Sequence, residues 1–409
     1  MNDLLARFQE TWAELAPVGR RQDGGYDRFA WSDADLELRA WFRRQAAERG
    51  LAVEQDRNGN LWAWWGHDPG EGLPPVGALA VGSHLDSVPG GGAYDGPLGV
   101  VAAFLALDVL RARGGARGTP VAIVDFTEEE GARFGVACLG SRLSVAAVDP
   151  ERARGLTDST GTSLADAMRA AGADPEMLGD DRVRLSRLAA FVELHVEQGR
   201  HLGDVGAPVG VASEIWPHGR WRFRFEGEAN HAGTARLVDR KDPMLAFAAA
   251  VVKARESAAF HLGLATFGRA TVQPNATNAV AASVEAWLDA RAPVEGDLEA
   301  IVDAVRAEAA AAARLQGVTV AISEESRTPA VTFDPSLRAR VGGALDGTAP
   351  EMATGAGHDA GILAAVVPTA MLFVRNPSGV SHGPGEHASD EDCVAGVRDL
   401  ARVLGLLLS

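Results

Sequence analysis

The chain has 409 residues, 46% hydrophobic and 23% charged, a composition that suits a folded protein of about two to three domains with a full core. A formal net charge of −16 argues against nucleic acid or an anionic membrane as the main partner, though local arginines could still hold a small anion. The two cysteines, Cys138 and Cys393, lie far apart without Cys-x-x-Cys spacing, which argues against a thiolate zinc site or a disulfide scaffold and predicts small buried hydrophobes in a reducing compartment.

The first residues mix charge with apolar groups and lack the basic-then-apolar pattern of a signal segment. No later stretch is long enough to span a membrane, so a cytoplasmic protein is expected. Leu4, Leu5, Phe8, Trp12 and Leu15 recur at helical steps, and Ser32-Asp-Ala-Asp35 is a cap for a second helix carrying Leu36, Leu38, Trp41 and Phe42. Leu51 to Trp65 reads as a hairpin turning at Asn58-Gly59. The run Gly77-Ala-Leu-Ala-Val81 then reads as a strand buried on both faces. His84, Asp86 and, after a glycine run, Asp95 follow it at once, and Pro97 to Leu110 has helical spacing. Strand, ligand-rich loop and helix is the layout of an α/β active site at the carboxyl end of a parallel sheet.

Thr119 to Phe126 is another β run and ends in Thr127-Glu-Glu-Glu-Gly131, which taken alone reads as a solvated acidic loop. Ala189 to His195 is apolar enough for a strand and is followed by Glu197-Gln198-Gly199. From about Gly206–Val211 the character changes to an α+β insert of four strands and two helices, placed at residues 211–328. It includes an alternating strand from Trp221 to Phe225, an Ala-rich helix from Asp242 to Phe260, strands at Leu264–Val272 and Val284–Arg291, and a helix faced by Leu298, Ile301, Val302 and Val305. Val318 to Ile322 closes it. The expected fold is therefore α/β: a mixed-sheet catalytic domain with helices on both faces, formed by residues 1–210 and 329–409 and interrupted by the insert.

After Pro329 the α/β pattern resumes. Gly355-Ala-Gly-His-Asp-Ala360 loosely fits a dinucleotide fingerprint, but the preceding strand is weak and no acidic partner follows, so that reading is set aside. Pro368 to Val374 is a strand, the loop Arg375 to His387 follows, and a helix from about Ser389 to Leu408 ends the chain. Four strand ends thus supply His84 and Asp95, the acids Glu128 to Glu130, His195, and His382 or His387. Sets of His and carboxylate without Cys suit Zn, Mn or Co. Two metals about 3.5–4 Å apart need a shared carboxylate and further ligands on each side.

Gly82-Ser-His-Leu-Asp-Ser-Val88, Tyr94-Asp-Gly96, Glu129-Glu-Gly-Ala-Arg-Phe-Gly135, Glu193-Leu-His-Val-Glu-Gln-Gly199, Asn230-His-Ala-Gly-Thr234, Gly355-Ala-Gly-His-Asp-Ala360 and Gly379-Val-Ser-His-Gly-Pro-Gly-Glu-His387 carry a resemblance. In this order, over nearly the whole chain, they resemble the hydantoinase/carbamoylase family of dinuclear metallo-amidohydrolases, which has a metallopeptidase-like fold. The family includes N-carbamoyl-L-amino-acid hydrolases, β-ureidopropionases and allantoate amidohydrolases. The resemblance implies two divalent ions per subunit, Zn or Mn with Co or Ni as alternatives. His84, Asp95 and His195 would hold one ion, and Asp95, Glu130 and His387 the other, with Asp95 shared. Glu129 would be the general base, Asp86 would orient His84, and His231 would stabilise an oxyanion. Gln198, His231, Asn278, Arg291, Gly357 and His358 would meet substrate. The insert would be a lid and a homodimerisation domain.

The resemblance also implies a substrate class: a small ureido acid, most simply allantoate, hydrolysed by the ureidoglycine/ureidoglycolate route with release of ammonia and carbon dioxide. An N-carbamoyl-L-amino acid or β-ureidopropionate is the alternative. A peptidase acting on small peptides or acylated amino acids is weaker still, and no Gly-x-Ser-x-Gly elbow points to a serine hydrolase. Ala235-Arg236 and Val374-Arg-Asn376 depart from the family pattern by adding arginines near motif loops, which is expected to suit a more polar substrate such as allantoate.

Overall fold

The computed structural model describes residues 2–114, 118–345 and 347–409. Strands are β1 (Ala52–Gln55), β2 (Leu61–Trp65), β3 (Ala78–His84), β4 (Val121–Phe126), β5 (Leu188–Val196), β6 (Val209–Ile215), β7 (His218–Glu226), β8 (Asn230–His231), β9 (Leu264–Gln273), β10 (Ala279–Val280), β11 (Ser283–Arg291), β12 (Thr319–Thr328), β13 (Val331–Thr332), β14 (Glu351–Thr354) and β15 (Thr369–Val374). Two compact units result: residues 1–213 with 332–409, and residues 214–331.

The larger unit is built on a nine-stranded sheet in the order β1-β2-β4-β3-β5-β15-β6-β13, with β14 paired to β6. Its middle, β4-β3-β5-β15, is parallel, while β2 meets β4 and β6 meets β15 antiparallel. Parallel strands need both faces covered, and β3 and β4 are buried at every position. Leu79 and Val81, Val121 and Ile123, Val192 and Leu194, and Leu372 and Val374 lie on one face, in a single core with Phe8, Trp41, Phe42, Phe104, Val397 and Leu404 from helices Asn2–Leu15, Asp33–Glu48, Pro97–Ala112 and Asp390–Leu407. Two-residue alternation turns His84, Glu193 and His195 to the opposite face. The second of these helices starts at the cap expected from sequence, Ser32 accepting from Asp35 N, and the last is capped by Ser389, which accepts from Asp392 N.

The hairpin of β1 and β2 pairs Ala52 with Trp64 and Gln55 with Leu61. Its turn is held by the Asp56 carboxylate, which accepts the N–H groups of Asn58 and Asn60 at 2.8 and 3.0 Å. Among the described residues no helix is long and apolar enough to cross a membrane.

The smaller unit is a four-stranded antiparallel sheet, β12-β7-β11-β9, with helices Pro243–Phe260 and Glu295–Leu315 packed on it. Trp221, Phe223 and Phe225 alternate inward with Leu288, Ile301 and Val305. Beyond the four strands and two helices expected, a two-stranded ribbon joins β8 to β10. Two residues per strand leave too short a run for alternation to be visible in sequence.

Candidate metal centre

The four parallel strands end on one side of the sheet, and each carboxyl end delivers polar side chains. His84 closes β3, and His195 sits one residue from the end of β5. Both are fully buried, with ring centroids 5.8 Å apart. Each ring is fixed through Nδ1: that of His84 lies 3.1 Å from the Asp86 carbonyl, and that of His195 lies 2.8 Å from the Val196 carbonyl. A carbonyl can only accept, so Nδ1 carries a proton, and in the neutral ring that a cation would require Nε2 presents its lone pair. Both Nε2 atoms are buried without a hydrogen-bond partner. Asp95 Oδ1 lies 3.7 Å from His84 Nε2 and 3.1 Å from His195 Nε2. Gly96, with φ of +86°, lets the loop pass this close, because a Cβ there would stand 2.4 Å from the His84 ring.

The other oxygen of Asp95 faces a second set. Oδ2 is 3.4 Å from His382 Nε2, which is 3.5 Å from Glu130 Oε2. Oδ2 also accepts from Gln198 Nε2 at 2.8 Å and from Ser381 Oγ at 3.2 Å. Two groups able to hold a cation therefore share one carboxylate: His84, Asp95 and His195, and Asp95, Glu130 and His382. The second group corrects one expectation. His387, named as the ligand from the resemblance, is exposed and lies edge-on to Tyr94, with ring centroids 6.1 Å apart. His382 takes its place because residue 382 turns with φ of +56°, which brings its ring back toward Asp95.

The acidic loop after β4 is not solvated. Glu128 is fully buried and Glu129 nearly so. Asn60 Oδ1 accepts from Thr127 N, and the N–H groups of Cys138, Leu139 and Gly140 donate to the carbonyls of Glu129, Glu128 and Thr127. Arg39, buried beside Asp35, donates to Thr127 Oγ1 at 2.6 Å. The three acids then diverge. Glu128 accepts from the N–H groups of Arg133 and Phe134. Glu129 points Oε2 to within 3.6 Å of His84 Nε2 while Oε1 accepts from Cys138 Sγ, and Glu130 faces His382. Asp86 stands behind both, accepting Glu129 N on Oδ1 and Glu130 N on Oδ2, each at 3.1 Å.

Electrostatics favour positive charge here. Burial opposes ionisation of Asp95, yet the imidazoles of His195, His84 and His382 outweigh it and hold the carboxyl well below the usual range. Burial likewise opposes a charged His84, but Glu129, Asp86 and Asp95 raise its pKa well above normal. Glu129 is pushed up by burial, pulled back by His84 and raised again by Asp86 and Glu193, to about 7. Burial, Asp95 and Glu129 push Glu130 well above the carboxylate range. Orphaned Nε2 atoms, lone pairs aimed inward and an all-oxygen-and-nitrogen donor set fit hard or borderline divalent cations.

The remaining expected residues fall in two places. In the larger unit, His358 is buried with its ring 4.5 Å from that of His195, next to Gly357 and beyond the strand β14. In the smaller unit the ribbon brings His231 and Asn278 together, Ala232 N donating to the Asn278 carbonyl at 2.9 Å. His231 Nδ1 accepts from Gly233 N at 3.0 Å, so its proton resides on Nε2. Arg291 forks onto Asp289, which Arg220 also contacts. The arginines expected to greet a polar substrate are engaged nearby: Arg375 binds Asp392 at 2.9 and 2.8 Å, and Arg236 binds Asp239 at 2.6 and 2.9 Å. They lend no support to that expectation.

Sequence comparison matches residues 80–405 to peptidase family M20/M25/M40. The N-carbamoyl-L-amino acid amidohydrolase of Geobacillus stearothermophilus is 36% identical, over 96% of this chain and 96% of that one. The allantoate amidohydrolase of Escherichia coli K12 is 32% identical, over 97% of this chain and 96% of that one. Among solved structures, an amidase of the hydantoinase/carbamoylase family from Burkholderia vietnamiensis superposes with a TM-score of 0.86 at 28% identity, covering 98% of this chain and 96% of that one.

Proposed function

The chain belongs to peptidase family M20/M25/M40, among the hydantoinase/carbamoylase amidases, and on that premise we propose that it hydrolyses the ureido C–N bond of a small carboxylic acid. It is a hydrolase of C–N bonds. The observation that supports a two-cation hydrolase is the division of Asp95, with Oδ1 toward two buried imidazoles and Oδ2 toward His382, beside a carboxyl held at about 7, and the ureido class is supported by the relatives that act on N-carbamoyl amino acids and allantoate.

His84, Asp95 and His195 would hold one divalent cation and Asp95, Glu130 and His382 a second, Zn or Mn in the first instance and Co or Ni as alternatives. Bound there, such cations supply Lewis acidity toward a carbonyl and acidify water, which a ureido carbon needs because two nitrogens donate into it. Glu129 takes a proton from the attacking water on Oε2 and returns it to the departing nitrogen, while Cys138 holds Oε1. Asp86 keeps Glu129 and Glu130 in place through their backbone N–H groups. His231, as an Nε2–H donor, suits an oxyanion. Gln198, Asn278, Arg291, Gly357 and His358 complete the proposed substrate contacts. The balance is one ureido acid and one water giving the amine, ammonia and carbon dioxide.

Allantoate is the proposed substrate, in line with the allantoate amidohydrolase at 32% identity. N-carbamoyl-L-amino acids are the second reading, favoured by the relative at 36%. We also read residues 214–331 as a lid that pairs two copies in a cytoplasmic homodimer, in keeping with exposed Leu245, Val252, Phe260 and Leu262 on that unit. The test is ammonia release by Mn- or Zn-reconstituted protein, with allantoate and a panel of N-carbamoyl-L-amino acids and β-ureidopropionate. Turnover of dipeptides alone would remove the ureido assignment, and light scattering decides the dimer.

A further inference from the structure

The loop that carries His382 ends in Glu386, a carboxylate that touches no expected reactant. It is buried, and its Oε1 accepts two backbone N–H groups from the opposite loop: Tyr94 at 2.8 Å and Asp95 at 2.9 Å. Gly92 makes this possible, since a Cβ on residue 92 would stand 2.2 Å from the Glu386 carboxyl carbon. Earlier in the same loop, Ser381 and His382 contact the side-chain oxygen of the same Asp95. The loop after β15 thus grips Asp95 twice, by its carboxylate and by its backbone.

The two candidate cation groups differ in what anchors them. His84 and His195 are fully buried on adjacent strands, whose pairing fixes them regardless of the last loop. Glu130 and His382 ride on loops, and His382 is half exposed. We propose that Glu386 is a positioning residue for the second cation group: by fixing the backbone of Asp95 against the His382 loop, it sets the separation of Asp95 Oδ2 from His382 Nε2. This rests on the two-cation reading above, and the measurement below separates failure of one from failure of the other.

Supporting groups of this kind change metal affinity by about 10–100-fold when removed. Wild-type protein, Glu386→Ala, Glu386→Gln and Gly92→Ala are stripped of metal and titrated with Mn(II) by calorimetry, with metal content after gel filtration as the second readout. The Glu386→Gln variant keeps the accepting oxygen, whereas Glu386→Ala loses it. The Gly92→Ala variant displaces the carboxylate without altering it, and serves if Glu386→Ala does not fold. The expected result is two sites in wild type and Glu386→Gln. In Glu386→Ala and Gly92→Ala the tighter site is kept and the weaker one falls by about 10–100-fold. Equal affinities in all four proteins, or equal loss at both sites, or a Gln variant as impaired as the Ala variant, overturns the proposal. A wild-type protein that binds fewer than two ions overturns the two-cation reading instead.

Discussion

Replacing Glu129 with Gln tests the assignment of the base with little change of shape. Glu129 is nearly buried, its Oε1 is fixed by the Cys138 thiol, and its Oε2 lies 3.6 Å from His84 Nε2. Gln preserves the volume and one accepting oxygen but cannot take a proton. No neighbouring acid is placed to substitute: Glu128 is turned to the N–H groups of Arg133 and Phe134, Glu130 faces His382, and Asp95 is engaged by three imidazoles. General-base catalysis contributes about 10²–10⁴-fold, so kcat should fall by that factor, about 3–5 kcal/mol of barrier, with little change in KM or in thermal unfolding. Ammonia release at saturating substrate measures it, with Glu128→Gln as a control that keeps its rate. The sign of the pH dependence follows from the same group. Glu129 must be ionised to accept a proton, and burial with Asp86 and Glu193 holds it at about 7, so the rate rises with pH up to that region. Bound cations draw the midpoint lower, and the limb disappears in Glu129→Gln. A variant retaining more than about a tenth of wild-type kcat would refute the role.

Other outcomes follow from the geometry. His382→Ala should bind one cation fewer per chain, while His387→Ala, which alters an exposed ring beside Tyr94, keeps both, and metal analysis of the two purified variants decides between the histidines. His231→Ala should lower kcat by about 10²–10³-fold without shifting the unfolding midpoint, because the side chain is exposed and only its Nε2–H is offered for work. Equal kcat would leave it a turn residue. Chelation should lower the melting temperature, since a cation that binds the folded chain and not the unfolded one stabilises it by mass action, and added metal at about 100 times its Kd should restore about 2.7 kcal/mol per site. An unchanged melting curve in EDTA would show that the cluster is tolerated empty.

The strand ends are the legible part of this molecule. An apolar run that stops at His84, and another that reaches His195, could hardly serve anything but the carboxyl edge of a parallel sheet. Asp95 and Glu130 come to notice through the motifs that carry the family resemblance, Tyr94-Asp-Gly96 and Glu129 to Gly135. What sequence does not decide is which of two histidines five residues apart turns inward, because that depends on one left-handed backbone angle at His382 and on an anchor at Glu386. The acidic loop reads as solvated for a related reason: its buried partners, Asn60, Arg39 and residues 138–140, come from other parts of the chain. The ribbon of Asn230–His231 is too short to show a period, so its two strands escape notice although its residues do not. Arg236 and Arg375 show the opposite limit, since a cation beside a motif says nothing of the carboxylate that pairs with it in the fold.

One device recurs around the centre and explains why an acidic chain buries so many carboxylates. Asp86 accepts two N–H groups of the loop after β4, and Glu386 accepts two from the loop after β3. Glu193, on β5, accepts Ser83 Oγ at 2.7 Å on one oxygen and Ala360 N at 2.9 Å on the other. Each acid joins elements that are remote in sequence. Removing any one would strand two buried or part-buried donors, and a fully buried one costs about 1–3 kcal/mol. Strand pairing alone places the ends of β4, β3, β5 and β15 only to the nearest residue. Carboxylates that each take two donors from a neighbouring loop narrow that to fractions of an ångström, the precision that a carboxylate shared between two donor sets demands. Glu193 and Glu386 give their oxygens to amides and a hydroxyl, and Asp86 divides its own between amides and the His84 ring 3.4 Å away, whereas Asp95, Glu129 and Glu130 face imidazoles and the unpartnered ring nitrogens of His84 and His195. In the proposed reaction the first set builds the centre and the second acts in it.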